Sequence, residues 1–389
     1  MTGLCILGST GSIGQNTLRV VRDLPGRFRV VSLAAGRNLD VLADQVREFG
    51  PRLVSVGGPE WVEPLRERLG AGCPVEIVAG SEGHVVAATL PEVDFVVSAA
   101  HGVTGVEATY EAIRAGKRIG LANKETLVVA GEVVTRAARE RGVELLPIDS
   151  EHNALHQCLR AGQRKEVQRL ILTASGGPFL RTPLERLQDA TPEEALNHPI
   201  WKMGSRVTID SATMMNKGLE IIEAHWLFDL PAGRIDVLIH PQSIVHSMIE
   251  FQDGTVMAQL SVADMRLPIQ YVLTYPDRVV LKDEGLRLDL VGAGNLQFEK
   301  PDPRRYPCLE LARVALAEGG ALPCALNAAD EVAVEAFLAR RLRFGGIPQV
   351  IERVMRQTPR TRFNSLEDFL ECDRETRQRA AEAVAAVSK

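Results

Sequence analysis

Leu4-Cys5-Ile6-Leu7-Gly8-Ser9-Thr10-Gly11-Ser12-Ile13-Gly14 reads as a buried strand, a glycine turn and the start of a helix that continues through Leu18, Val21 and Arg22. Glycines three apart let the backbone approach a ligand, and the N-terminus of the following helix offers N–H groups to an anion. The spacing is GxxGxxG rather than GxGxxG, so an ordinary strand-to-helix turn has the same signature. The next apolar run, residues 29–35, ends in Gly36-Arg37-Asn38. A dinucleotide site that reads a ribose 2′-hydroxyl carries an acid at this point. A cation there suits a 2′-phosphate, which favours NADPH; a solvated loop arginine is the plain alternative.

Further strand-like runs fall at residues 53–56, 75–78, 94–97, 118–121 and 143–148, with amphipathic helical spacing between several of them, as in Leu39, Leu42, Val46 and Phe49. Strand–helix alternation predicts a mainly parallel sheet with helices on both faces, and ligands beyond the carboxyl ends of its strands. Asn123-Lys124-Glu125 and Asp149-Ser150-Glu151 follow two of those ends.

Asp149 and Glu151 are two apart. On an extended segment they would face one side, and paired carboxylates suit a hard divalent ion such as Mg²⁺ or Mn²⁺. The same acids also suit a helix N-terminus. Ala174-Ser175-Gly176-Gly177-Pro178-Phe179 offers small residues and free N–H groups to an anion. Residues 181–205 are polar and broken by prolines, and contain His198-Pro199-Ile200-Trp201-Lys202-Met203-Gly204. This stretch reads either as a lid or as a surface loop with Trp201 turned inward. In the helix opened around Ser211 and Thr213, Lys217, Glu220 and Glu223 recur every three residues, which makes either a site or a solvated Lys–Glu face.

The chain has 389 residues, enough for two or three domains. Lys plus Arg is 45 and Asp plus Glu is 50, a net −5 that argues against a nucleic-acid binder driven by overall charge. No apolar run is long enough for a bilayer. The early glycine turn leaves no expected room for a targeting peptide. The six Cys form no CxxC pair, so a reducing cytoplasm is expected.

Taken in order, GSTGSIG at 8–14, LANKE at 121–125, DSEH at 149–152, SGGPF at 175–179, NHPIWKMG at 197–204, DSATMMNKGLE at 210–220 and HPQS at 240–243 resemble the 1-deoxy-D-xylulose 5-phosphate reductoisomerase family over nearly the whole chain. The resemblance implies an enzyme that uses NADPH and one divalent ion per subunit, Mg²⁺ or Mn²⁺. It would rearrange and reduce 1-deoxy-D-xylulose 5-phosphate to 2-C-methyl-D-erythritol 4-phosphate in non-mevalonate isoprenoid synthesis, as a homodimer.

By resemblance, Asp149, Glu151 and Glu220 hold the metal. Lys124, Glu151, His198 and Trp201 are catalytic, and Met203 belongs with the lid. Substrate contacts fall to Ser150, Glu151, Ser175, His198, Ser211, Asn216, Lys217 and Glu220, with Glu223 near Lys217. NADPH lies on Thr10, Gly11, Ser12, Ile13, Gly36, Arg37, Asn38, Asn123, Lys124, Glu125 and Gly204. His101 and Asp330 depart from the family pattern, Asp330 standing where an amide is expected. An NADPH-dependent dehydrogenase of an amino-acid semialdehyde or similar small metabolite, which would not require Asp149, Glu151 and Glu220 to converge, and a non-catalytic NADPH sensor or scaffold are the rival readings.

The expected fold is α/β: a Rossmann-like NADPH domain over 1–148, an α+β catalytic and dimerisation domain over 149–275 with a lid at 181–205, a linker over 276–305, and a C-terminal helical bundle over 306–389. Strands are predicted at 236–239, 244–251 and 255–261, the last two joined at Gln252-Asp253-Gly254.

Overall fold

A buried parallel strand needs a continuous apolar run, and residues 1–153 supply seven of them. The computed structural model describes the chain apart from His101, Val103, Lys202 and Lys389, so the departure at His101 lies outside the described residues. The strands are β1 Thr2–Leu7, β2 Phe28–Ala34, β3 Leu53–Val56, β4 Glu76–Ala79, β5 Phe95–Ser98, β6 Arg118–Leu121 and β7 Leu145–Pro147. They form one all-parallel sheet in the order β4-β3-β2-β1-β5-β6-β7. The order reverses between β1 and β5, so the crevice of this doubly wound sheet opens where the glycine turn leaves β1.

This compact unit comprises Met1–Thr126, Glu132–Asn153 and Asp264–Leu286. Its last piece corrects the expected boundary at 275. The helix Arg266–Thr274 packs on the helix Ser12–Asp23 and places Ile269, Tyr271, Val272 and Leu273 in the same core as Leu4, Ile6 and Phe95.

The second unit comprises Leu127–Gly131, Ala154–Ala263 and Arg287–Lys389. Its sheet holds β8 Val167–Ala174, β9 Ile235–Ile239, β10 Val245–Phe251 and β11 Val256–Leu260 in the order β11-β10-β8-β9. The β10–β11 hairpin turns at Gly254, whose φ of 84° is the left-handed value that the sequence Gln252-Asp253-Gly254 predicts. β11 is a half-exposed edge strand.

From Pro307 the chain is helical, with Pro307–Glu318, Leu322–Leu338, Gly346–Gln357 and Leu366–Val387 packed through Leu326, Val334, Phe337, Ile347, Ile351 and Val384. The bundle shares a core with Met215, Leu219 and Ile222, so it is part of this unit rather than a separate end piece.

Two other expectations need correction. Residues 181–205 are not a bare loop: they form two short helices, Leu184–Leu187 and Pro192–Leu196. The second is closed by a reciprocal cap between Thr191 and Glu194. The expected linker at 276–305 divides at residue 286 and joins a different unit on each side.

Candidate active site

In the first unit, Gly8 takes φ 83°, and a Cβ on it would meet the Ala99 carbonyl oxygen at 2.4 Å. A Cβ on Gly14 would meet the Gly8 carbonyl oxygen at 2.4 Å. These two glycines let helix and strand ends approach closely. Gly11 stands at the helix N-cap without a side-chain cap, which leaves the first-turn N–H groups around Ser12 and Ile13 to an anion. Gly36 and Arg37 are exposed after β2. Asn38 is also exposed, but its Oδ1 accepts from the Val41 N–H and caps the next helix.

Asn123 follows β6. It is buried and donates its amide to the Ala100 (2.5 Å) and Gly102 (3.2 Å) carbonyls, so its side chain shapes the loop after β5. Lys124 follows it, and Glu125 opens the helix Glu125–Arg141. The Lys124 ammonium pairs with Asp149 beyond the neighbouring strand β7.

Ser150 begins the helix Ser150–Cys158, so the segment is not extended as the two-apart reading supposed. Asp149 Oδ1 accepts from the Glu151 N–H (3.2 Å) and the His152 N–H (3.4 Å), the capping role that acids favour. One oxygen of Asp149 and one of Glu151 still lie within 4.8 Å of each other. The Ser150 hydroxyl donates to Glu151 at 2.5 Å. His152 is fully buried, with Nδ1 3.3 Å from Asp149.

In the second unit, Ser175 follows β8. Gly176 and Gly177 both take left-handed φ, 86° and 67°, and a Cβ on Gly177 would meet the Ser211 carbonyl oxygen at 2.8 Å. That close approach seats the Ser175 turn against the helix Ser205–Thr213. Ser175 Oγ accepts from the Gly177 N–H at 3.1 Å and lies 3.0 Å from His198 Nε2. His198 Nδ1 accepts the N–H groups of Ile200 (3.2 Å) and Trp201 (2.9 Å). Nδ1 is therefore the unprotonated nitrogen, and Nε2–H donates to Ser175. With both acceptor positions of Oγ filled, the Ser175 O–H is left to donate elsewhere. Burial holds the His198 pKa below its ordinary value, in keeping with a neutral ring.

Ser211 belongs to the helix Ser205–Thr213, so it is not a helix cap as its sequence position suggested. That helix ends at Met214 (φ 62°), and the helix Met215–Phe228 starts at once, its first N–H held by the Thr213 hydroxyl at 3.2 Å. Lys217, Glu220 and Glu223 on it are buried rather than solvated. Asn216 Nδ2 donates to Glu220 at 2.6 Å, and the Lys217 ammonium pairs with the other Glu220 oxygen. Buried charges need such partners. Gly204 is exposed, and Met203 is half-buried.

His246 on β10 escaped the sequence reading. Its ring meets Trp201 edge-on at 6.2 Å between centroids. A buried His interrupting the apolar run around Val245 was the available signal.

Family models match three stretches of the chain: 1-deoxy-D-xylulose 5-phosphate reductoisomerase over residues 4–131, the C-terminal domain of that reductoisomerase over 145–228, and the DXP reductoisomerase C-terminal domain over 260–379. A 1-deoxy-D-xylulose 5-phosphate reductoisomerase of Solibacter usitatus is 51% identical over 387 residues, 98% of this chain and 97% of that protein. One of Chlorobium phaeobacteroides is 52% identical over 380 residues, 98% of each.

Among solved structures, the reductoisomerase from Zymomonas mobilis in complex with NADPH superposes with TM-score 0.92 at 42% identity, covering 98% of this chain and 99% of that one. A DOX-P reductoisomerase in complex with NADPH, fosmidomycin and magnesium superposes with TM-score 0.93 at 40% identity, covering 99% and 98%. Identity of this extent, carried through both sheets and the helical bundle, means that the chain belongs to the 1-deoxy-D-xylulose 5-phosphate reductoisomerase family.

Proposed function

We propose that the chain rearranges 1-deoxy-D-xylulose 5-phosphate and reduces the product with NADPH to 2-C-methyl-D-erythritol 4-phosphate, with Mg²⁺ or Mn²⁺, as a step of non-mevalonate isoprenoid synthesis. The observation that carries this reading is the Lys124–Asp149 pair beside Glu151, at the carboxyl ends of the adjacent parallel strands β6 and β7.

We assign NADPH to the first unit. The uncapped helix N-terminus after Gly11 takes its pyrophosphate, with Thr10, Ser12 and Ile13 around it. Arg37, with Gly36 and Asn38, takes the 2′-phosphate. Asn123, Lys124 and Glu125 are assigned as further cofactor contacts, Asn123 also holding the loop after β5, and Gly204 is assigned as a contact supplied by the second unit.

The divalent ion is assigned to Asp149, Glu151 and Glu220. These are all hard oxygen donors, and Asp149 and Glu151 are close enough to share one ion. When bound, it would stabilise negative charge on the substrate oxygens as a proton leaves and the carbon skeleton shifts. Lys124 then orients the substrate backbone together with Ser150. Ser175, Ser211, Asn216 and Lys217 hold the phosphate, and the hydroxyl left free on Ser175 donates to it. His198, Trp201 and Met203 cover the substrate and keep water from the reactive aldehyde.

Among the described residues no helix is long and apolar enough to cross a membrane. The six cysteines are free, five of them buried. We infer a cytoplasmic enzyme on this basis, because free thiols persist in a reducing compartment. We infer a homodimer from the edge strand β11, where Val256 and Met257 are 47% and 39% exposed and no charge or proline blunts the edge. Light scattering that returns a mass of one chain would reject the dimer.

The decisive assay is NADPH oxidation with 1-deoxy-D-xylulose 5-phosphate, with and without Mg²⁺ or Mn²⁺. Turnover that needs both substrate and metal is the expected result. No turnover with metal present would overturn the reading, and full turnover after chelation would overturn the metal assignment.

A further inference from the structure

The segment running into the bundle, expected as a linker, binds the turn that carries Ser175. The Gln297 carbonyl holds His240 Nδ1 at 2.8 Å. Glu299 exchanges both backbone hydrogen bonds with Ile239, at 2.8 and 2.9 Å, and its carboxylate takes the guanidinium of Arg181. Arg305 Nη1 donates to the carbonyls of Phe179 (2.7 Å) and Thr182 (2.6 Å). The Tyr306 hydroxyl donates to the Gly176 carbonyl at 2.8 Å, and the side chain is only 1% exposed.

The Tyr306 bond has a particular geometry. The Gly176 carbonyl and the Gly177 N–H belong to one peptide plane, and in a trans peptide they point in opposite directions. Tyr306 holds the carbonyl end. Ser175 Oγ receives the N–H end at 3.1 Å. Both flanking residues are glycines with φ above +60°, and glycine moves readily between such conformations, so contacts at the two ends of the plane are what fix its orientation. A rotation of this plane would swing the N–H away from Ser175, and its Oγ would lose one of the two donors that orient its own proton. Burial pushes the Tyr306 phenol up to about 12, so its proton is present throughout the working pH range.

We propose that Tyr306, assisted by Arg305, is a positioning residue for phosphate binding: it locks the Gly176–Gly177 peptide so that the Ser175 hydroxyl is aimed at the substrate's phosphate. The inference rests on the reading of Ser175 as a phosphate contact given above. It adds a residue some 130 positions further along the chain that touches no substrate and acts through the turn.

The test compares Tyr306→Phe, Ser175→Ala and the double variant in the full chain with NADPH and Mg²⁺. KM and kcat for 1-deoxy-D-xylulose 5-phosphate are measured, together with competitive inhibition by inorganic phosphate. Tyr306→Phe keeps the ring and its packing and removes only the hydroxyl. KM and the inhibition constant for phosphate should each rise about tenfold, the weight of one hydrogen bond, while kcat falls less and NADPH affinity stays within about twofold. Ser175→Ala should act in the same direction, and adding Tyr306→Phe to it should bring little further change, because both act through one hydroxyl. Arg305→Ala, which removes contacts to the Phe179 and Thr182 carbonyls rather than to the Gly176–Gly177 peptide, should raise KM by a smaller factor.

Unchanged KM and phosphate inhibition in Tyr306→Phe, with both raised in Ser175→Ala, would overturn the positioning role and leave Ser175 as a phosphate contact. No effect of Ser175→Ala would overturn that contact, and with it the route from Tyr306. A Tyr306→Phe variant that loses NADPH binding and folded fraction in proportion to activity would show a merely structural tyrosine. That outcome too would overturn the proposal.

Discussion

The Nε2–H of His198 donates to Ser175 Oγ across 3.0 Å, and the other ring nitrogen is committed to the N–H groups of Ile200 and Trp201. A proton added at Nδ1 would face two donors and break both contacts. Burial already holds the His198 pKa below 6.5, so the neutral ring is favoured in the folded protein. The stabilisation it provides is therefore complete above pH 6.5 and lost as pH falls through the lowered value. KM for substrate should stay flat from pH 7 to 8 and climb on the acid side below 6.5. A KM that already climbs between pH 8 and 7 would contradict this coupling.

Arg37 stands exposed after β2 with no acid at the position where a ribose reader would sit. Arg37→Ala should weaken NADPH by about 1.5–3 kcal/mol, the loss of a charged hydrogen bond, and leave NADH nearly untouched. Fluorescence titration of both cofactors checks it, and equal weakening of the two would remove Arg37 from the 2′-phosphate.

Glu220 is fully buried between Asn216 and Lys217. Glu220→Gln keeps the shape and removes the charge. Turnover should fall by about 10²-fold or more, with a higher metal requirement, because the substitution removes one of three proposed ligands. NADPH binding should remain. Parallel loss of NADPH affinity would argue against the assignment.

Asp330 is fully buried on the helix Leu322–Leu338, 3.8 Å from Arg206. Burial first, and the neighbouring Asp210 second, raise its pKa well above the usual carboxylate value, against the pull of Arg206; Glu331, paired with Arg206, adds to the rise. An acid with a raised pKa contributes stability at low pH and loses it as pH rises toward that value. Asp330→Asn supplies a permanent donor toward Asp210 and has no proton to lose. Its unfolding midpoint should exceed that of the parent by about 2–4 °C at pH 8, and the gap should narrow as pH falls toward the ordinary aspartate range of about 4. A variant less stable than the parent at pH 8 would contradict the protonated pairing.

Much of the architecture was legible because it depends on local pattern. Residues 39–49, 53–56 and 118–121 form the expected helix and strands without a shift of boundary, since continuous apolar runs and turn residues delimit them. Asp149 shows where local pattern stops. The same residues suit an extended segment or a helix cap, and the choice is made by the packing of Ser150–Cys158. The burial of Lys217, Glu220 and Glu223 was equally hidden, because solvated and buried faces share one spacing. Tyr306 gave no sign at all: its partner Gly176 is far away in sequence, and a hydroxyl bonded to a backbone carbonyl leaves no side-chain pattern to read.

The first unit is completed out of order. Its helix Arg266–Thr274 supplies Ile269 and Val272 to the core beneath the parallel sheet, yet residues 154–263 are built before it. On the ribosome, the first 153 residues would wait with that part of the core bare while the second sheet emerges. A chain released at residue 153 should therefore bind hydrophobic dyes at the uncovered core of this sheet, and adding residues 264–286 to it in trans should reduce that binding. Synthesis would thus deliver a cofactor-binding unit only after most of the other unit's sheet already exists.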